Sequence, residues 1–131
     1  MVQPPKSLGL FLCDQVIFER DTLRPSLIGC FAGRAVNEFP SRPQRFDAFA
    51  ALTDGLGAVT IDLTVTHLDT EEQVYSRSFV VAFLDPLRVV NLRCRVGECS
   101  FPYPGSYMVA LSVADAEIAH CRLRVYLREY S

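Results

Sequence analysis

The chain has 131 residues, 50% of them hydrophobic and 21% charged, with 13 basic and 15 acidic side chains that leave a formal charge of −2. That length and apolar content fit one domain, residues 1–131, able to bury roughly two-thirds of its extended surface, and they exclude disorder through low hydrophobicity. The charge gives no global drive toward nucleic acid or an anionic membrane, so either would need a local patch.

Alternation with period 2 dominates, and no stretch of helical length keeps apolar residues at i, i+3, i+4 and i+7, so the chain reads as nearly all strand. Near the start an apolar run at 8–13 follows Lys6, as in an export signal, but it is short and Asp14 closes it. The first strand is expected at 8–19 and the second at 26–31. No segment approaches the ~20 apolar residues that cross a bilayer, so a cytoplasmic location is expected.

The connection "GRAVNEFPSRPQRF", residues 33–46, is long for a compact sandwich and carries Arg34, Phe39, Arg42 and Arg45. It could shield a sheet edge or present Phe39 to a partner. A strand at 45–52 follows, and then "VTIDLTVTH" sets Val59, Ile61, Leu63 and Val65 against Thr60, Asp62, Thr64 and Thr66. After a strand at 73–84, "RVVNLRCRV" turns Val90, Leu92, Cys94 and Val96 inward and Asn91, Arg93 and Arg95 outward.

"FPYPGSY" introduces the last two strands. Pro102 and Pro104 stiffen the approach, Gly105 permits a turn, and Tyr107 stands where a tyrosine corner pins the entrance of an immunoglobulin-type strand. Tyr103 is left as a loop-tip contact. "YMVALSV" then places Tyr107, Val109, Leu111 and Val113 inward, while "AHCRLRVYL" places Ala119, Cys121, Leu123, Val125 and Leu127 inward and His120, Arg122, Arg124, Tyr126 and Arg128 outward. Keeping Val113 and Ala119 on one face demands a longer turn or a bulge near 115–118, because a two-residue Asp115-Ala116 turn would flip one strand. Seven or eight short antiparallel strands with these turn signals predict an all-β sandwich, with a closed barrel as the alternative.

The segments "LCDQVIFERDTLRPSLIGCF" and "FPYPGSYMVALSVADAEIAHCRLRV" resemble a bacterial family of small proteins classed as a domain of unknown function. The resemblance rests on Cys13, Asp14, Val16, Ser26, Leu27, Ile28, Gly29 and Phe31, and on Phe101, Pro102, Pro104, Gly105 and Tyr107. It implies an immunoglobulin-like antiparallel sandwich and carries no catalytic residue.

The candidate chemistry is sparse. Five cysteines (Cys13, Cys30, Cys94, Cys99 and Cys121) are an odd number and point to reduced, mostly buried thiols. Zinc would need His120 and Cys121 to converge, yet neighbours in a strand point to opposite faces and there is no CxxC, so neither metal nor cofactor is expected. An enzyme would have to rely on Cys30 or His67, neither of which sits in a recognisable motif. The arginine rows, Arg93 and Arg95 with Arg122, Arg124 and Arg128, would form a basic stripe if their strands shared a sheet, and Tyr126 would add a planar surface. The sequence thus predicts a non-enzymatic interaction module with a protein partner, and a homodimer through a sheet face or edge. An anion- or ligand-binding module built on those arginines is the alternative.

Overall fold

The structure is a computed structural model; it describes residues 2–129 and is all-β, with nine strands among those residues. They are β1 (Lys6–Phe18), β2 (Pro25–Cys30), β3 (Gly33–Val36), β4 (Gln44–Thr53), β5 (Gly57–His67), β6 (Gln73–Phe83), β7 (Val90–Cys99), β8 (Gly105–Val113) and β9 (Ala116–Leu127). One sheet has the order β2-β1-β4-β7 and the other β3-β9-β8-β5-β6, so the layers are two open sheets rather than one closed barrel. No helix among the described residues is long and apolar enough to cross a membrane.

The alternating rows explain the core. Leu10 and Leu12 of β1, Phe46, Ala48, Ala50 and Leu52 of β4, and Cys94 and Val96 of β7 face Val59, Ile61, Leu63 and Val65 of β5 across one buried cluster. Tyr107, Val109, Leu111, Leu123 and Val125 complete it from β8 and β9. Period-2 alternation puts every second side chain of each strand into this layer. Leu127 departs from its expected inward place and is 53% exposed, because β9 runs past the end of the core at that residue.

The count of seven or eight antiparallel strands is corrected by β3, which pairs with β9 in parallel from Gly33↔Arg124 to Val36↔Leu127. At four residues it is too short to show an alternation, and so it reads as part of the connection. The last hairpin turns on Ala114 and Asp115, at φ 48° and 67°, between the paired residues Val113 and Ala116. Both central residues are left-handed, as a type I′ turn requires. Register then shifts between Leu111↔Ala119 and Ser112↔Glu117, leaving Ile118 as the extra residue. The bulge demanded by parity is therefore present.

A second, smaller cluster lies on the outer face of the four-stranded sheet, where Cys13, Val16 and Phe49 are buried with Phe18, Leu27 and Ala51 against them. β1 pairs with β4 only as far as Cys13 and beyond that with β2 alone. The ring of Phe18 lies 5.7 Å from the Arg93 guanidinium of β7, on the far side of β4. The outer part of the β1–β2 hairpin is thus an arm laid across β4.

Candidate functional site

The corner at "FPYPGSY" is assembled as its residue types require. The Tyr107 ring is fully buried, its hydroxyl donates to the Tyr103 carbonyl at 2.6 Å, and the Tyr103 N–H donates back to that oxygen at 3.3 Å. Phe101 packs edge-on to Tyr107 at 4.9 Å, and His67 tilts against it at 4.8 Å. His67 is itself buried at the end of β5. The Thr70 N–H donates to its Nδ1 at 3.3 Å, so Nε2 carries the proton and donates to the Pro104 carbonyl at 3.1 Å. Gly105 has φ +125°, and a Cβ there would lie 3.2 Å from that same Nε2. The glycine thus serves both the turn and the close approach of the imidazole. Sequence alone could not couple His67 to this corner, since residues 68–103 intervene.

The 33–46 connection is mostly pinned. Arg34 stacks 4.4 Å from the Phe31 ring and 5.6 Å from Phe46, and its guanidinium meets Asp14 at 3.2 Å. Burial lowers the Arg34 pKa, with Asp14 opposing that shift. Phe39 precedes a cis Phe39-Pro40 bond and packs against the inner core, so it anchors the loop rather than presenting itself to a partner. Ser41 clips the loop to the corner: its N–H donates to the Phe101 carbonyl and its Oγ accepts from the Phe101 N–H, both at 2.9 Å. The Arg42 carbonyl accepts from Ser41 Oγ and Gln44 Nε2, both at 3.0 Å, while its exposed guanidinium pairs with Glu38 at 3.6 Å; Arg45 is exposed. Tyr103 is 40% exposed, its ring 5.3 Å from His67.

The two arginine rows lie in different sheets and form no single stripe: Arg93 and Arg95 are on β7, whereas Arg122 and Arg124 are on β9 and Arg128 just beyond it. Arg93 lies near Phe18, as described. Arg95 Nε is 3.8 Å from Asp47, and the Arg95 carbonyl accepts from Arg77 Nη1 at 2.8 Å. Asp47 went unnoticed in the sequence, yet it is buried on β4 and accepts the buried Val16 N–H at 2.9 Å. Its only sequence signal is an acid in the otherwise apolar run "FDAFAAL".

On β9 the surroundings differ. His120 is paired with Glu117 at 2.7 Å, but among the described residues Arg122, Arg124 and Arg128 have no ion-pair partner. Arg122 lies opposite Met108 and Arg124 opposite Ser106, on the outward face of the sheet. Tyr126, 45% exposed, leans over Gly33, where a Cβ would sit 3.4 Å from the ring. Arg124, Tyr126, Leu127 and Glu129 line an open groove of about 420 Å³. Arg128 turns to a separate groove with Asp14, Cys30 and Arg34.

The thiols are unpaired, and burial raises Cys13 and Cys121 to about 11 and Cys94 and Cys99 to about 12. Cys30 alone is exposed. Among the described residues no group of three or more His, Cys, Asp or Glu side chains could hold a metal ion.

Over residues 8–126 the sequence matches the family described as "Family of unknown function (DUF6941)". The chain belongs to that family. The match takes in both segments that carried the resemblance, and the DUF6941 description names no activity, substrate or partner. No curated protein matches the chain.

Proposed function

We propose that the protein is a non-catalytic interaction module with an immunoglobulin-like sandwich, and that the outward face of β9 receives an acidic segment of a protein partner. The observation that carries this reading is the trio Arg122, Arg124 and Tyr126, two cations with no ion-pair partner among the described residues beside an exposed aromatic ring. Alternate residues of a strand stand about 6.6 Å apart on one face. Arg122 and Arg124 therefore match acids at every second position of an extended partner, and guanidinium forks favour carboxylates. The tyrosine tucked over Gly33 is an amphipathic anchor of the kind that concentrates binding energy.

The other readings find less support. Both ring nitrogens of His67 are committed to the corner, which removes it as a free base. For a small anion, the β9 groove offers Arg124 as its one cation among the described residues. Unpaired thiols favour placing the module in a reducing bacterial cytoplasm. Self-association has one favourable feature: β6 is an eleven-residue edge strand with Val80 74% exposed, and an extended dimer would show directly in light scattering.

The test replaces Tyr126 with a photo-crosslinking residue in cells and identifies the adduct by mass spectrometry. An adduct to an acidic segment is expected, and Arg122→Glu with Arg124→Glu should abolish it while the thermal midpoint stays within about 2 °C, as exposed substitutions allow. An adduct that survives charge reversal would reject the surface.

A further inference from the structure

We propose that Cys13 and Cys30 form a cross-strand dithiol that closes to a reversible intramolecular disulfide when a hydroperoxide reaches Cys30. The two are direct partners across β1 and β2. At the neighbouring position the Phe31 N–H donates to the Leu12 carbonyl at 3.0 Å, which makes Cys13 and Cys30 a non-hydrogen-bonded pair. Such pairs bring their Cα atoms to about 4.5 Å and their side chains onto one face. Disulfides span Cα separations of about 4.4–6.8 Å, so the pair can close without moving the strands apart.

Access is divided between the two sulfurs in the way a sensor requires. Cys30 is exposed and lines an open groove of about 430 Å³ with Asp14, Arg34 and Arg128, wide enough for a small peroxide. Cys13 is fully buried beneath the β1–β2 arm, and burial keeps it protonated. Cys30 is thus the thiol that meets the oxidant, and Cys13 the one that resolves it. The rival partner, Cys121, shares a groove with Cys30 but stands on β9 of the other sheet and packs against the inner core, whereas Cys13 is paired directly with Cys30.

The chemistry balances with the hydroperoxide as sole oxidant. The Cys30 thiolate attacks the terminal peroxide oxygen and the O–O bond breaks. The alcohol, or water from hydrogen peroxide, leaves with the proton that Cys30 gave up, and a sulfenic acid remains. The Cys13 sulfur then attacks the Cys30 sulfur, the S–O bond breaks, and hydroxide departs as water with the Cys13 proton. The thiols together lose two electrons and the peroxide gains them. A small dithiol reverses the reaction. The product staples the root of the arm that covers Phe49.

The experiment treats the full chain with hydrogen peroxide, alkylates the remaining thiols, digests without reductant and maps peptides by mass spectrometry. A Cys13–Cys30 linked peptide is expected, absent in Cys30→Ser and converted by dithiothreitol into two alkylatable peptides. Cys30→Ser changes an exposed side chain and leaves the core intact. Recovery of Cys30 as sulfinic or sulfonic acid with Cys13 still alkylatable would overturn the proposal. So would linkage of Cys30 to Cys121 or to a second copy.

Discussion

Replacing Tyr107 with phenylalanine removes one oxygen and leaves the ring, so it isolates the hydrogen bonds of the corner. The hydroxyl donates at 2.6 Å to the Tyr103 carbonyl and accepts at 3.3 Å from the Tyr103 N–H. Each such bond contributes about 1 kcal/mol net, and the half-exposed loop lets water recover part of the loss. The expected cost is about 1–2 kcal/mol. For a domain of this size that corresponds to a fall of roughly 4–8 °C in thermal midpoint. Urea unfolding followed by circular dichroism measures the free energy, and calorimetry the midpoint. Tyr107→Leu should cost a further ~1–3 kcal/mol, because it also forfeits the ring contacts with Phe101 and His67. A Tyr107→Phe variant within about 0.5 kcal/mol of the parent would refute the hydrogen-bonded corner and leave only ring packing.

Ala114 sits at φ 48° in a turn that favours asparagine or glycine, so Ala114→Asn should stabilise by about 0.5–1 kcal/mol in the same unfolding assay. Asp47→Ala leaves the buried Val16 N–H without an acceptor and should cost about 2–3 kcal/mol, whereas Asp47→Asn keeps an oxygen there and should recover most of the loss. The three buried thiols and the half-buried Cys121 have pKa values raised from 9.0 to about 11 or 12, so above pH 9 the unfolded chain has released protons that the folded chain retains. Their contribution is full below pH 9 and is lost as pH rises toward those values, with a limiting slope of about 1.4 kcal/mol per pH unit for each thiol. Cys94→Ala should make that alkaline slope shallower, whatever its effect on absolute stability; an unchanged slope would show that this thiol is not shielded.

Rows such as Val59, Ile61, Leu63 and Val65 were legible because strand geometry writes burial directly into every second residue. The bulge at Ile118 followed from the same parity, and Tyr107 from its spacing to Gly105. What stayed hidden depends on contacts between distant segments. β3 is too short to show a period and exists because β9 offers it a parallel edge. The separation of the arginine rows is a matter of strand order, which alternation cannot encode. His67 ends its own strand, and nothing in that strand shows that it joins the corner through Pro104. Phe39 and Asp47 present the same difficulty, since an aromatic in a loop and an acid in a strand take their roles only from what packs over them.

The placement of β9 bears on how the protein is made. Its four-stranded sheet needs nothing beyond β7, which ends at Cys99, whereas the five-stranded sheet has β9 between β3 and β8. During synthesis from the N-terminal end, the first layer can pair while β3 is still waiting for a neighbour some ninety residues downstream, at Gly33↔Arg124. Until β9 emerges from the ribosome, the core lacks Leu123 and Val125. The nascent chain therefore carries an apolar layer that stays incompletely covered until β9 is made, and the interval before that strand arrives is when a chaperone would find it.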